Sequence, residues 1–272
     1  MQKFSISPAV IVASLWANRN LLAGLIRREI VGRYKGSVFG ILWSLFNPIL
    51  MLAVYTFFFS VIFQVRWLGG GGSKTEFALI LFSGLLVFNF FAECVNRAPS
   101  LIISNANYVK KIIFPLELLP VVAIGGAAFH LLVSFLVWMV FYFIFFGVPH
   151  LGVLLLPIIL LPLAFLTLGL TWFLASLGVY LRDVSQIVGS IVPVLMFLSP
   201  VFYPLKSLPE EFQAVVHLSP ITVAVEQARQ VMYWNGAIDW VIWCEYSVAS
   251  GVIAFLGFLW FQKTRKGFAD VL

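Results

Sequence analysis

A long run without charge, opened by Val38 and ended by Arg66, constrains the fold of this chain more than any other feature. The segment just before it is basic and contributes Arg27, Arg28, Arg33 and Lys35. A cationic segment that leads into a long apolar run is typical of a cytoplasmic anchor followed by a transmembrane helix. The stretch Arg27–Pro48 therefore predicts where the chain enters a membrane.

The composition extends this interpretation to the whole chain. Of its 272 residues, 62% are hydrophobic and 10% are charged, and the mean hydropathy is +1.03. Soluble domains are about half apolar and about a quarter charged. The sequence therefore predicts an all-α integral membrane protein with no room for a large soluble domain. The net charge of +6 is explained by positively charged cytoplasmic loops rather than by nucleic-acid binding.

The apolar pattern predicts a single transmembrane domain, 1–272, with a cytoplasmic amphipathic segment at 1–35, a six-span core at 36–262 and a cytoplasmic tail at 263–272. The six predicted transmembrane helices are about Val38–Phe63, Phe77–Val95, Leu119–Phe146, Val153–Tyr180, Ile187–Phe202 and Val241–Phe261. With the N-terminus inside, 13 of the 17 Lys and Arg residues lie in cytoplasmic segments and 4 lie outside. This asymmetry predicts that both termini are cytoplasmic.

An amphipathic helix is predicted before the first span, starting near Asn20. Leu22, Leu25, Ile26 and Ile30 share one face, with Arg27 and Arg28 on the other side, which suits a helix lying in the membrane interface. Asn20 is a candidate N-cap. Gly32, Gly36 and Gly40 are spaced four apart, which would let another helix approach closely; flexible glycine at the membrane boundary is the alternative.

Two connections stand out between the spans. The inner loop Arg97–Leu118 combines charges with apolar residues before Pro115, which favours docking to a protein partner over a helix lying on lipid headgroups. The outer segment Tyr203–Asp239 predicts two short helices, about Leu208–His217 and Ile221–Trp234, with cap signals at Ser207 and Ser219. Short helices beyond a broken span favour a re-entrant element, with a plain extracellular hairpin as the alternative.

Few polar side chains lie within the predicted spans. Glu93 and Glu245 are expected near the interfaces, where water can solvate them, and His130 is expected to hydrogen-bond a neighbouring helix. The turn after the fourth span contains Arg182 and Asp183, either as an ion pair or, more simply, as a solvated turn. No cluster of side chains predicts a catalytic or metal site.

A glycine-rich outer loop, GGGGSKT, superficially matches a phosphate-binding loop. Leu68 and Ser73 occupy the two positions where that motif requires glycine, so no ATP site is predicted in this chain. The many aromatic residues, 17% of the chain, offer rigid faces to sugar rings and suit a conduit for a neutral polymer.

Several segments, in this order, resemble the permease subunits of type-2 ABC exporters that move polysaccharides across the bacterial inner membrane. They are RREIVGRYKGSVFGILWSLFNPILMLAVYTFFFSVIF, VKKIIFPLELLP, YLRDVSQI, SPVFYPLKSLPEE and LSPITVAVEQARQ. The resemblance covers nearly the whole chain. It implies a homodimer that works with two copies of a separate ATPase subunit and exports lipid-linked polysaccharide: O-antigen foremost, or capsule or teichoic acid. ATP and magnesium would then be bound by the ATPase, and this chain would hold no cofactor.

The resemblance also implies roles for particular residues. ATPase coupling falls on the inner loop, at Tyr108, Lys110, Lys111, Phe114, Pro115 and Glu117. The cytoplasmic entrance falls at Arg27, Arg28, Arg33, Tyr34 and Lys35, and a cytoplasmic turn at Arg182 and Asp183. The exit falls on the outer segment, at Pro200, Tyr203, Pro204, Pro220 and Glu226.

Three other functions remain open from the sequence. An ABC exporter of a drug or small lipid would have the same layout. An ion-coupled secondary transporter would need its own ion site, and a membrane glycosyltransferase would need paired acidic residues on the cytoplasmic side, where Asp183 stands alone. A neighbouring gene for an ATPase, beside glycosyltransferase genes, would favour polysaccharide export.

Overall fold

The computed structural model describes residues 8–62, 67, 73–110, 114–217 and 219–272. These residues form helices joined by short turns, and no strand occurs among them. The helices are α1 Pro8–Ala17, α2 Arg19–Tyr34, α3 Trp43–Thr56, α4 Lys74–Arg97, α5 Ala106–Lys110, α6 Leu118–Phe146, α7 Leu156–Tyr180, α8 Val184–Leu198, α9 Glu210–His217, α10 Pro220–Arg229, α11 Trp240–Thr264 and α12 Phe268–Val271. The predicted all-helical class is confirmed.

Within the described part of the chain, four helical stretches are long and apolar enough to cross a membrane. They are Lys74–Ser100, Leu118–Phe146, Leu151–Tyr180 and Trp240–Val271. They match the second, third, fourth and sixth predicted spans. Two shorter apolar stretches, Gly40–Thr56 and Val184–Leu198, occupy the places of the first and fifth. The count of six spans therefore stays a prediction, and the glycine-rich loop 69–72 lies outside the described residues.

Helix α4 forms the centre of the bundle. Its residues from Leu79 to Phe91 are buried except for Asn89, and it contacts α3, α6, α7, α8 and α10. A helix that is apolar on every face is stable only when other helices surround it. Asn89, the exposed polar residue in this stretch of α4, therefore belongs to the site described below.

Helices α7 and α11 form the most extensive helix pair and meet through glycine. A Cβ built on Gly257 would lie 2.1 Å from the carbonyl oxygen of Gly169, and one built on Gly169 would lie 2.6 Å from the Cα of Ala254. Distances this short mean that the two backbones touch directly, as small residues permit between membrane helices. On the same helix, Gly178 contacts the backbone of Pro99 in the same manner.

A helix, α2, is present where the amphipathic segment was predicted, and it packs on α6. Its position in the membrane interface stays a prediction. Leu25 is buried, whereas Arg27 and Arg28 are exposed. The predicted cap at Asn20 is wrong, because α2 begins at Arg19.

The glycine face predicted after α2 is also wrong. The helix ends at Tyr34, and Gly36 and Gly40 adopt positive φ angles of 87° and 51° in the connection to α3. No side chain or backbone approaches the Cβ positions of these glycines, or that of Gly32, within 4 Å among the described residues. Gly36 and Gly40 thus serve the turn between α2 and α3, and Gly32 lies within α2.

The outer segment folds as two short helices, as predicted. The first, α9, starts at Glu210, two residues later than expected, and Ser207 lies in a separate turn rather than in a capping box. The second, α10, starts after Ser219 and continues from Gln230 to Trp234 as a π-helical turn. Whether this segment is re-entrant stays a prediction.

Candidate functional site

A network of polar side chains joins α2, α4 and α6 near the predicted cytoplasmic side. The Arg33 guanidinium lies 2.7 Å from Glu93, and His130 Nδ1 lies 2.9 Å from the same carboxylate. The Tyr34 hydroxyl lies 2.9 Å from His130 Nε2 and the Arg33 guanidinium lies 3.2 Å from His130 Nδ1, so α2 contacts both ring nitrogens. Burial raises the pKa of Tyr34 further above its usual value, so this hydroxyl is protonated at neutral pH.

This network explains how the bundle tolerates a carboxylate. A lone ionised group within the membrane is costly, and pairing with a cation and a hydrogen-bond donor offsets much of that cost. The Glu93 side chain is 19% exposed, so partners in the protein, more than water, satisfy it. The prediction for His130 is confirmed, while the solvated position expected for Glu93 is replaced by this ion pair.

A cavity of about 400 Å³ opens beside the network, between α2, α3, α4 and α6. Its size lies within the roughly 300–1,000 Å³ that is typical of small-molecule sites. The network forms one part of its wall, and polar, aromatic and apolar side chains of α3 and α4, with Ser134 of α6, form the rest. Of the predicted entrance residues, Arg33 and Tyr34 line this cavity, whereas Arg27, Arg28 and Lys35 lie exposed on and after α2.

Tyr108 and Phe114, two of the predicted coupling residues, pack against a small apolar cluster that includes Leu101, Leu116 and Phe268. The rings of Tyr108 and Phe114 stack with centroids 4.5 Å apart, and the Arg28 guanidinium lies 5.7 Å from the Tyr108 ring. Phe114 is half-buried and packs against this cluster, to which Phe268 of α12 belongs. Its ring is therefore held mainly by its own chain.

Polar contacts hold the rest of this segment to the C-terminal part of the chain. Glu117 pairs with Arg265 at 2.8 Å, and its backbone oxygen accepts from the Trp172 indole. Lys110 donates to the backbone oxygen of Leu272. Pro115 precedes the first turn of α6, and Lys111 lies outside the described residues.

The predicted cytoplasmic turn is solvated. Arg182 and Asp183 are exposed, and the ion pairs of the described residues include none between them. The backbone oxygen of Asp183 instead accepts from the first turn of α8.

The outer segment is held by a residue whose role the sequence did not reveal. Arg229, at the end of α10, is 2% exposed and donates to the backbone oxygens of Ile80, Pro200 and Val201. It also pairs with Glu226 at 3.0 Å and lies 4.4 Å from the Trp67 ring. The sequence analysis treated Arg229 only as one of the outer positive charges. Its position among apolar residues of a short predicted helix was the signal that could have indicated a buried arginine.

The other predicted exit residues lie in the turn after α8 and at the start of α10. The Tyr203 hydroxyl donates to the backbone oxygen of Phe197 at 2.9 Å, which folds the turn back onto α8. Pro204 precedes a short 3-10 turn, and Pro220 is the first residue of α10. Arg229 thus joins the break after α8, the outer helix α10 and the central helix α4.

Comparison with known protein families decides the identity of this architecture. The model of the ABC-2 type transporter family matches residues 20–233, from the start of α2 to the helical turn that follows α10. The chain belongs to the ABC-2 type transporter family. The matched range contains the polar network, the cavity, the coupling segment and Arg229. As an ABC-2 family member with several membrane-length helices, the chain is a multi-pass membrane protein.

Curated relatives of this ABC-2 protein include several polysaccharide export permeases. The O-antigen export system permease protein RfbA of Klebsiella pneumoniae is 26% identical over 254 residues, 93% of this chain and 95% of the relative. RfbA of Myxococcus xanthus is 27% identical over 262 residues, 96% of this chain and 98% of the relative. The capsule polysaccharide export inner-membrane protein CtrC of Neisseria meningitidis serogroup B is 22% identical over 258 residues, covering 93% and 94%.

Proposed function

We propose that this ABC-2 protein is the transmembrane subunit of an ATP-driven exporter of lipid-linked polysaccharide, O-antigen foremost, in the bacterial inner membrane. The observation that carries the proposal is end-to-end similarity to permeases named for O-antigen export. The similarity to a capsule export protein supports the broader class of polysaccharide. Among these polymers, O-antigen is favoured because three of the relatives carry that name.

The proposed exporter consists of two copies of this chain and two copies of a separate ATPase subunit that binds ATP and magnesium. Within the part of the chain that the structure describes, the coupling segment ends at a cytoplasmic face with exposed Asn107 and Lys110. The Asn107 side chain faces outward and is available to contact the ATPase, whereas Lys110 also donates to the backbone oxygen of Leu272. The Tyr108–Phe114 stack keeps the segment in shape, which refines the role assigned to Phe114 from a contact residue to a positioning residue.

Helix α2 and the cavity form the proposed cytoplasmic entrance. The Arg33–Glu93 pair ties the interface helix to the bundle, so displacing α2 requires this pair to break or move with it. The outer helices, held by Arg229, form the proposed exit. Both termini are placed in the cytoplasm, because this orientation leaves 13 of the 17 basic residues on that side.

Deleting the gene and restoring it on a plasmid tests the proposal. Surface polysaccharide should disappear on deletion and return with the wild-type chain, while lipid-linked polymer accumulates inside the cell. Purified alone, the chain should not hydrolyse ATP, and a co-purifying ATPase should supply that activity. If surface polysaccharide persists after deletion and the cells instead become sensitive to drugs, the chain exports small molecules.

A further inference from the structure

The cavity beside α2 contains polar groups that the fold leaves unused. Asn47 and Tyr55 of α3, Asn89 of α4 and Ser134 of α6 all line it. Among the described residues, none of the polar atoms of these four side chains takes part in a hydrogen bond. The lining thus presents two amides and two hydroxyls without protein partners.

Asn89 shows that this arrangement is not incidental to helix packing. It is exposed, whereas its neighbours on α4 from Leu79 to Phe91 are buried. An amide within a membrane-embedded helix is costly when nothing bonds to it, and leucine would pack at least as well. Its position at the cavity wall therefore favours a ligand that supplies the missing partners.

The charges around the cavity restrict the chemistry of that ligand. The Arg33 guanidinium and the Glu93 carboxylate lie 2.7 Å apart and neutralise each other, and His130 is engaged on both ring nitrogens. An anionic or cationic ligand would have to break this network. The amides and hydroxyls, by contrast, each offer both a donor and an acceptor, which matches the hydroxyl groups of a neutral sugar.

An aromatic side chain completes the lining. Trp43 of α3 lines the same cavity and is 40% exposed. Aromatic faces supply rigid apolar area to the C–H side of a sugar ring, while amides bind its hydroxyl edge. An acyl chain would leave the amides and hydroxyls unpaired.

We propose that this cavity is a binding subsite for a neutral sugar ring of the exported polymer. This inference rests on the proposed function, and it adds the location and chemistry of one contact. The residues that recognise the ring are Asn47 and Asn89, supported by the Tyr55 and Ser134 hydroxyls. The ion-paired network forms the inner boundary of the subsite.

Photo-crosslinking in exporting cells tests the subsite directly. Met51 lines the cavity and is 41% exposed, so replacing it with p-benzoylphenylalanine places the probe at the ligand. Val140 on α6 is 56% exposed outside the cavity lining and serves as the matched control. After illumination, a ladder of adducts that stains as carbohydrate and is destroyed by periodate is expected at position 51 and not at 140.

Other crosslinking outcomes overturn the subsite. An adduct with a second copy of this chain would mean that the amides face a subunit interface. An adduct with sugar-free lipid, or no adduct in cells that demonstrably export polymer, would exclude a sugar there while leaving the proposed function intact. Failure of the proposed function is seen separately, as surface polysaccharide that does not depend on the gene.

Substitutions of nearly equal size provide the second test. Asn47→Leu and Asn89→Leu should each reduce adduct yield and export roughly 5-fold, the usual effect of one lost hydrogen bond. Asn96→Leu, an exposed position on the same helix outside the cavity lining, should change neither. The melting temperature of the Asn47 and Asn89 variants should be unchanged or higher, because an unpaired amide is removed. Wild-type export and adduct yield in the double variant would refute the assignment.

Discussion

Replacing Arg229 with leucine should destabilise the outer half of the bundle. The guanidinium is 2% exposed, and within the described part of the chain it donates to the backbone oxygens of Pro200 and Val201. Ile80 keeps another donor, the Ser83 hydroxyl. Two buried oxygens would lose their partners, at a cost of about 1–3 kcal/mol each, or about 2–6 kcal/mol together. This corresponds to a fall of roughly 4–12 °C in the melting temperature of a chain of this size.

The assay is thermal unfolding of the detergent-purified protein, with export measured in the same strains. Arg229→Lys keeps the charge but not the planar fork, so an intermediate loss is expected. Glu226→Gln should also destabilise, though less than Arg229→Leu, because it removes the carboxylate paired with a guanidinium that is 2% exposed while the backbone oxygens keep their donor.

A glycine pair provides the matched steric control. A Cβ on Gly84 would lie 2.6 Å from Arg229 Nη2, whereas one on Gly251 meets nothing within 4 Å. Gly84→Ala should therefore destabilise and Gly251→Ala should not. If Arg229→Leu melts within 2 °C of the wild type, the two carbonyls have other partners and the reasoning is wrong.

Three further changes test the other parts of the molecule. Glu93→Gln should lower both the melting temperature and export, because it leaves the Arg33 guanidinium of α2 without its carboxylate partner. An unchanged melting temperature together with unchanged export would contradict this. In a cysteine-free background, a cysteine at Ser207 should react with an impermeant thiol reagent from outside and one at Asn107 should not; labelling of position 107 in intact cells would reverse the orientation. Phe114→Ala should reduce co-purification of the ATPase while the permease stays folded, because the Tyr108 ring loses its stacking partner. Such a ring pair is worth about 0.5–1.5 kcal/mol beyond its buried area. Wild-type recovery of the ATPase and wild-type export would show that this loop is not the coupling element.

Much of the fold follows from the sequence because it depends on one-dimensional patterns. Helix length and hydropathy predicted Leu119–Phe146 within one residue of the observed Leu118–Phe146. The interface helix and the two outer helices were also predicted from periodicity and turn residues. The glycine face failed because spacing alone cannot show that a helix ends at Tyr34, before two of the three glycines.

The candidate site was less accessible from the sequence. Glu93 and His130 were recognised as unusual, but their connection to Arg33 depends on how three helices pack. Arg229 was missed because its partners are backbone oxygens from segments distant in sequence, and a backbone oxygen has no sequence signature. Asn47 and Asn89 became informative only when the packing showed them at one cavity.

The glycine contact between α7 and α11 has a consequence for biogenesis. Because α11 is the last of the long helices along the chain, the contact between Gly169 and α11 can form only after the earlier helices have been made. The backbones of α7 and α11 then meet at Gly169 and Gly257, and this contact sets the depth and rotation of α11 against α7. Replacing Gly257 with any larger residue should therefore disturb the last step of insertion. The chain would reach the membrane with its earlier helices assembled, but α11 would not pack on α7. Quality-control proteases would then degrade the protein.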